Sequence, residues 1–485
     1  MRAIVWFKKD LRVANNPALY HAAQLCKDGL VAVYLLDYEM WKQHRTASCQ
    51  IEFIFRGLEE LKSSLNELGI PLRILETEKT RDSPRLLAEI CKQIGSEKLF
   101  FNHELELNEA QRELIVVEAL AKKGIQAEIY EDQLILPYRQ FYAERKDYFK
   151  IFTPFKRHWI KHFLLKENGQ LLPKPKVKTI IKMPSSSLPS IPACFRASLE
   201  LKSWPAGESN AQSKLRHFIK QDLFNYDKQR DFPGLDATSK LSAYLAVGMI
   251  SAQECFVAAL KENQMELDSG NLGALTWMSE LIWRDFYRHI LIAAPRICMN
   301  RAYKPETEKL PWLYDKKLLQ AWQEGRTGFP IVDAAMRQLN TTGWMHNRLR
   351  MITAMFFSKN LFLDWRLGEQ YFTEQLIDLD FASNNGGWQW SASTGTDAVP
   401  YFRIFNPRTQ SERFDPQGEF IRRFCPELKS LSAKAIHAPY LYASQQAEKA
   451  GYPRPIIDYT LSRQRCLAAF KALKIIKALE VYRGE

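Results

Sequence analysis

Between Asp378 and Gln410 the chain reads DLDFASNNGGWQWSASTGTDAVPYFRIFNPRTQ. Two acids, two asparagines, two glycines and two tryptophans fall between Asp378 and Trp390. Gly386 and Gly387 let backbone come close to something flat or bulky. Trp388 and Trp390 share a face if the segment is extended and diverge if it is helical. Carboxylates, amides and indoles beside bare backbone suit one wall of a pocket for a planar, hydrogen-bonding ligand. The alternative is a tight interhelical turn whose tryptophans plug a core.

Two further stretches carry similar chemistry. In WMSELIWRDFYR, residues 277–288, Trp277, Glu280, Arg284 and Arg288 recur at spacings of three and four, along one face of a helix. An acid and arginines interleaved with Trp and Tyr suit a base and its phosphates. The plainer alternative is an ion-paired surface row, Glu280 with Arg284. In GWMHNRLRM, residues 343–351, Asn347, Arg348 and Arg350 crowd against Trp344, His346 and Met351, and His346 takes no assigned role. Thr238-Ser-Lys-Leu-Ser242 precedes an apolar helical pattern, so its hydroxyls and free N–H groups suit a phosphate or a plain N-cap. No H-E-x-x-H, Walker A or Ser-His-Asp pattern and no metal-ligand spacing occurs, which leaves hydrolases and metalloenzymes little support.

These residues need a scaffold. Residues 1–133 alternate AIVWF, LVAVYLL, PLRIL, KLFF and AEIY with amphipathic stretches such as Ile51–Leu68 and Asn108–Lys123. That rhythm predicts a Rossmann-like, doubly wound parallel sheet. KKDLR follows the first strand in place of G-x-G-x-x-G, so the usual pyrophosphate cradle is missing and no dinucleotide is placed there. Residues 134–210, basic and aromatic and then rich in Pro and Ser, read as a long interdomain linker. Residues 211–485 carry helical patterns at Lys214–Tyr226, Ser242–Val247, Ala252–Asn263, Gly273–Ala294, Lys316–Glu324, Ile331–Leu339, Asn347–Asn360 and Leu367–Leu379. The fold class is therefore α/β followed by a large all-α domain.

Composition sets bounds. A net charge of +13 over 485 residues points to a polyanionic partner, nucleic acid first. Eight cysteines without a C-x-x-C pair read as reduced thiols, and with no signal peptide the expectation is a cytoplasmic protein. No apolar run approaches the roughly 20 residues of a membrane span.

The chain resembles the DNA photolyase/cryptochrome family along nearly its whole length, and is most similar to bacterial class I cyclobutane pyrimidine dimer photolyases. The motifs are WFKKDLR, ELIWRDFYRH, AWQEGRTGFPIVDAAMRQLNTTGWMHNRLRM and NNGGWQWSASTGTDAVPYFRIFNP. The resemblance implies that the helical domain holds FAD, working as FADH−. Tyr226 and Thr238, Ser239, Lys240, Leu241 and Ser242 are expected at its phosphates and ribose, and Trp277 in the pocket lining. Asp378, Leu379 and Asp380, with Asn347 and Arg350, are expected around the remainder. Asn384 is expected beside flavin N5, where plant cryptochromes carry an acid; a carboxylate there would repel an anionic reduced flavin.

The implied substrate is a pyrimidine dimer flipped out of duplex DNA, photolyases being a known case of base flipping. Trp283, Trp390 and Met351 are expected around the dimer, with Glu280 and Asn347 on its polar edge. Arg230, Arg284, Arg348, Arg403 and Gln410 are expected at the DNA. The implied reaction is light-driven dimer splitting with no net redox change, Glu280 stabilising charge on the dimer. Trp388, Trp365 and Trp312 match the family's electron relay. His44, Asn108, Glu109 and Cys298 match positions for a methenyltetrahydrofolate antenna, whereas Met299 departs from the lysine of related folate binders; a deazaflavin or no antenna stays open. A cryptochrome-type photoreceptor is the competing reading, and Asn384, Glu280, Trp283 and Met351 favour repair. The expected protein is a monomer with no resident metal.

Overall fold

The computed structural model describes residues 2–142, 147–165, 169–199 and 201–483. By contacts the chain forms two compact units. The first comprises Met1–Asp227, Thr238–Ala293 and Ile377–Asp380; the second comprises Lys228–Ala237, Ala294–Leu376 and Phe381–Glu485. This division differs from one drawn at 133 and 210.

In the first unit five strands form one parallel sheet: β1 (Arg2–Phe7), β2 (Leu30–Asp37), β3 (Leu72–Thr77), β4 (Ser96–Asn102) and β5 (Gln126–Tyr130), in the order β3-β2-β1-β4-β5. The continuous apolar runs of β1 and β2 follow from burial on both faces, every residue of β2 being buried, whereas the edge strands β3 and β5 are partly exposed and mixed in polarity. The first crossover helix, Pro17–Leu25, starts on Asn16, whose side chain accepts from Leu19 N–H, with Pro17 just inside.

KKDLR, where a phosphate loop was missing, makes a polar knot at the C-terminal ends of β1 and β4. Asp10 accepts from Lys8 N–H (2.6 Å) and from Asn102 (2.6 Å). Lys8 pairs with Glu113 and stands 4.3–4.5 Å from the Phe101 and Trp6 rings. Arg12 pairs with Asp132 and donates to the carbonyls of Asn15 (2.7 Å) and Gly248 (3.1 Å). Gly248 has φ +71°, and a Cβ there would meet Lys9 O at 2.0 Å, so only glycine fits.

The stretch expected as a linker contains a helix, Phe152–Leu165. Phe152, Phe155, Trp159 and Phe163 are buried, and Trp159 Nε1 donates to Asp285 at 3.1 Å on the helix Leu272–Ala293. An aromatic stripe at helical spacing was concealed by the Pro- and Ser-rich sequence after it. Residues 166–168 of that stretch lie outside the described residues. Among the described residues no helix is long and apolar enough to cross a membrane.

The helical patterns expected beyond residue 211 recur with shifted ends. Asn347–Asn360 divides into an α-helix to Met355 and a π-helical turn, Phe356–Leu361. The helix expected over Leu367–Leu379 spans Trp365–Gln375. The segment with the paired glycines is itself a helix, Phe381–Ala392.

Lys8 and Glu113 are both about 95% buried, with 5% and 3% of their side chains exposed. Glu113→Ala is expected to leave the buried Lys8 ammonium with only the more distant Glu104 carboxylate, 4.0 Å away, and to lower unfolding free energy by up to about 3–5 kcal/mol, as read from urea denaturation.

Candidate functional site

Helix Leu272–Ala293 presents the expected row in the first unit. Trp277 is buried against Phe218 (ring centroids 4.9 Å), which also meets Tyr226 edge-on at 5.7 Å. Gly273 lets this helix approach closely, since a Cβ would sit 2.3 Å from Leu223 O. Arg288 forms a two-pronged pair with Asp380 (2.9 and 3.0 Å). Arg284, expected at the DNA, is half-buried. It donates to Gln133 O at 2.6 Å and lines a polar cavity with Lys9, Arg12, Glu106, Asp132 and Arg288. Burial and the neighbouring Arg288 push its pKa down to about 10. Trp283, expected beside the dimer, stacks on Phe152 with centroids 3.6 Å apart and planes 8° from parallel. Glu280 is half-buried, and its charge acts on Lys156, whose pKa burial lowers.

Asp285 lies within the same motif but was assigned nothing. It is fully buried and accepts from Ile135 N–H, Leu136 N–H and Trp159 Nε1 at 3.1–3.3 Å. Burial raises its pKa to about 6. A carboxylate satisfied by three backbone and indole donors is a structural clasp.

Ile377–Asp380 is held in the first unit by Gln50, whose amide donates to Leu379 O (2.8 Å) and Ile377 O (3.3 Å). Asp378 is buried. Thr238–Ser242 turns through Lys240 at φ 49° and leads into the short helix Ser242–Ala246. Three of the four expected antenna residues meet. Asn108 donates to His44 Nε2 at 3.1 Å, and His44 Nδ1 faces Glu109 at 3.4 Å. Glu109 is buried, which raises its pKa, and Lys9 stands 3.6 Å from it. Cys298 and the exposed Met299 belong to the second unit.

In the second unit, helix Phe381–Ala392 faces helix Trp365–Gln375. Because the segment is helical, Trp388 and Trp390 diverge: Trp388 is buried and Trp390 half-buried. Asn384 donates to Glu369 O (3.2 Å) and Thr373 Oγ1 (3.3 Å), leaving its own carbonyl oxygen as the acceptor it presents. Glu369, absent from the sequence reading, is buried and accepts from Asn385 at 2.9 Å. Burial raises its pKa to about 7. Only its place one turn after Trp365 marked it in the sequence.

Trp388 is enclosed by Phe372, Phe357 and Trp322 at centroid distances of 5.0, 5.6 and 6.0 Å. Trp365 is fully buried, while Trp312 is partly exposed and packs on Phe362 at 5.0 Å. A bridge between Leu313 and Leu363 brings the Trp312 segment beside the start of the Trp365 helix.

The remaining expected contacts of this unit are pre-arranged by other partners. Arg348 makes a two-pronged pair with Asp231 (2.7 and 3.3 Å) and lies 4.5 Å over the Phe414 ring. Arg230 stands 3.8 Å from the same Asp231. Arg350 donates to Met345 O at 2.8 Å. His346 is a buried N-cap that accepts from Arg348 N–H, its pKa pushed down by burial to about 4. Asn347 and Arg403 are exposed; Met351 and Gln410 are half-buried. The loop bearing Arg403 is tied from below by Lys359, which donates to Arg403 O (3.0 Å).

Comparison with known proteins places this arrangement. A family model described as the FAD binding domain of DNA photolyase matches residues 277–472, and one described as DNA photolyase matches residues 3–176. The deoxyribodipyrimidine photo-lyase of Escherichia coli K12 is 42% identical over 472 residues, covering 97% of this chain and 98% of that protein. The chain belongs to the DNA photolyase family. A bacterial class III photolyase from Agrobacterium tumefaciens aligns with TM-score 0.83 at 33% identity over 98% of both chains. The cryptochrome of Synechocystis sp. PCC6803 aligns with TM-score 0.85 at 28% identity, over 96% of this chain and 99% of that one.

The photolyase chain can be tested for its fit to FAD on its own geometry. Gly387 is half-buried, yet a Cβ built there meets nothing within 4 Å. It lies three residues from Asn384, so open space over bare backbone adjoins an amide acceptor on one helix. Open backbone beside an amide acceptor leaves room for a planar ring with N–H donors, and the residues present suit the cofactor.

The Glu369 pKa of about 7 exceeds the unfolded value of 4.5. The folded photolyase therefore retains a proton that the unfolded chain releases, and this group's contribution is full below 4.5 and lost as pH rises through 7. Glu369→Gln is expected to flatten the stability profile across that window. At pH 8 it should be more stable than wild type by about 1–3 kcal/mol in denaturant titrations.

Proposed function

We propose that this photolyase repairs cyclobutane pyrimidine dimers in DNA in a light-driven reaction, as a deoxyribodipyrimidine photo-lyase. The relationship to enzymes of that name over 97% of the chain carries the conclusion. When bound, reduced FAD supplies light capture and the single electron that opens the cyclobutane ring and afterwards returns. The chain's residues bind, orient and exclude water. Asn384, its amide N–H held by Glu369 O and Thr373, offers an oxygen to the flavin edge. Arg288 neutralises Asp380, so that carboxylate adds little repulsion toward an anionic cofactor.

At the substrate, Glu280 hydrogen-bonds the dimer, with Trp283, Trp390 and Met351 as its apolar surround and Asn347 on its polar edge. Trp283 enters this role already flattened against Phe152, which supports a rigid stacking platform. Arg403 on its exposed loop, with Arg230, Arg348 and Gln410, contacts the damaged strand, and the +13 charge supports salt-sensitive binding. Arg284 joins these contacts from a half-buried position.

Trp388, Trp365 and Trp312 reload oxidised cofactor with electrons. The supporting observation is their order of exposure, two buried indoles followed by one at the surface. His44, Asn108 and Glu109 form the polar rim of an antenna site for methenyltetrahydrofolate, supported by their mutual contacts. The enzyme is proposed to act as a cytoplasmic monomer, with free cysteines throughout, and light scattering of the pure protein checks its mass.

Illumination of the purified protein with dimer-containing DNA should return intact thymines. A photoreceptor lacking repair activity would return none. Trp388→Phe is expected to lose photoreduction of oxidised FAD by an external thiol, at a fold cost of about 1–2 kcal/mol, because phenylalanine is hard to oxidise. After dithionite reduction the same variant should still repair; absence of repair there would make Trp388 a substrate or structural residue. Glu109→Ala should lose any near-ultraviolet absorber while dark DNA binding persists, and an unchanged spectrum in folate-loaded protein would remove Glu109 from the antenna site.

A further inference from the structure

Gly368 sits on helix Trp365–Gln375 one turn after Trp365 and one turn before Phe372. It is buried, and its backbone forms the floor of a notch into which the six-membered ring of Trp388 is driven. A Cβ at position 368 would lie 2.1, 2.5 and 2.8 Å from Trp388 Cη2, Cζ3 and Cζ2. No indole tolerates such contacts, so any other residue moves Trp388 off this helix. Phe372, Phe357 and Trp322 close the other sides, at centroid distances of 5.0, 5.6 and 6.0 Å. The missing side chain therefore fixes how near the Trp388 ring comes to the turn that carries Trp365. Residues three apart on a helix are surface neighbours, so Trp365 projects beside the same notch.

We propose that Gly368 is a positioning residue for the electron relay, setting the gap across which Trp365 refills Trp388. The inference rests on the relay reading above. In each cycle one electron leaves the Trp388 indole toward the oxidised cofactor. One passes from Trp365 to Trp388 and one from Trp312 to Trp365. An external thiol reductant restores Trp312, no bond is made or broken in the tryptophans, and none is consumed. Electron transfer between aromatic rings weakens exponentially with edge separation. A displacement of Trp388 by one methyl radius thus acts on this step more strongly than on binding.

Gly368→Ala, in the full-length FAD-loaded protein, is expected to photoreduce severalfold more slowly. Its repair after dithionite reduction should fall by a smaller factor. A readout independent of catalysis is a thermal-melting cycle with Trp388→Phe, which removes the clashing ring. Each single variant should lower Tm, and the double variant should lower it by less than the sum. Normal photoreduction in Gly368→Ala, equal loss of photoreduction and repair, or additive Tm changes would each overturn the proposal. If Trp388→Phe itself photoreduces normally, the relay reading fails, which is a separate outcome. If Gly368→Ala does not accumulate as folded protein, Phe372→Leu loosens the neighbouring wall of the notch. It must give the same split between photoreduction and repair, and equal loss of both overturns the proposal.

Discussion

A charge taken out of water has to be answered inside the protein, and the fold is arranged around such answers. Lys8 is met by Glu113, Arg12 by Asp132 and two carbonyls, and Arg288 by Asp380. Where no direct ion pair forms, backbone donors and hydroxyls take its place. Asp285 gathers N–H groups of residues 135 and 136, and Asp333 gathers those of Thr327 and Gly328 together with two hydroxyls, from Thr327 and Tyr452. Lys359 is the mirror case, a buried ammonium directed at carbonyl oxygens, its pKa lowered by burial to about 8. Each such group fastens a loop that regular secondary structure leaves loose, and two of those loops carry residues assigned to cofactor or DNA, Asp380 and Arg403.

The second recurring device is the close approach of backbone. Gly248, Gly273 and Gly368 each stand where a single carbon would collide with a neighbouring chain or ring. Gly387 does the reverse, leaving space unfilled beside Asn384. Tight glycines bring elements together, and the loose one leaves space open. The same residue type thus closes space in one place and keeps it free in another.

Much of the scaffold was legible from sequence. Apolar runs located all five strands, continuous in β1 and β2, which are covered on both faces, and interrupted by polar residues in the edge strands β3 and β5. The glycine helix was not legible. Asn384, Asn385, Gly386 and Gly387 are poor helix formers. The helix survives because side-chain hydrogen bonds override propensity: Asn385 to Glu369, Gln389 to Asn385, and Tyr303 N–H to Gln389. The helix Phe152–Leu165 was missed for another reason, its stabilising partner lying more than a hundred residues away in sequence. Cofactor and relay residues were readable only through the family resemblance, since single tryptophans look like core. Asp285 and Glu369 escaped because a buried acid is recognised by its donors, which sequence does not display.

The four residues Ile377–Asp380 visit the first unit between two long stretches of the second. On a ribosome the chain emerges from its N-terminus, and Arg288 is made ninety-two residues before the Asp380 that pairs with it. Until then its guanidinium cannot be buried without a partner. The first unit therefore cannot close its interior before nearly half of the second has been synthesised, and loop closure over that span slows the final step. A gene cut between residues 376 and 377 would give two fragments, neither of which encodes a complete unit. This interleaving resists the separation into independent modules that its two-part architecture otherwise invites.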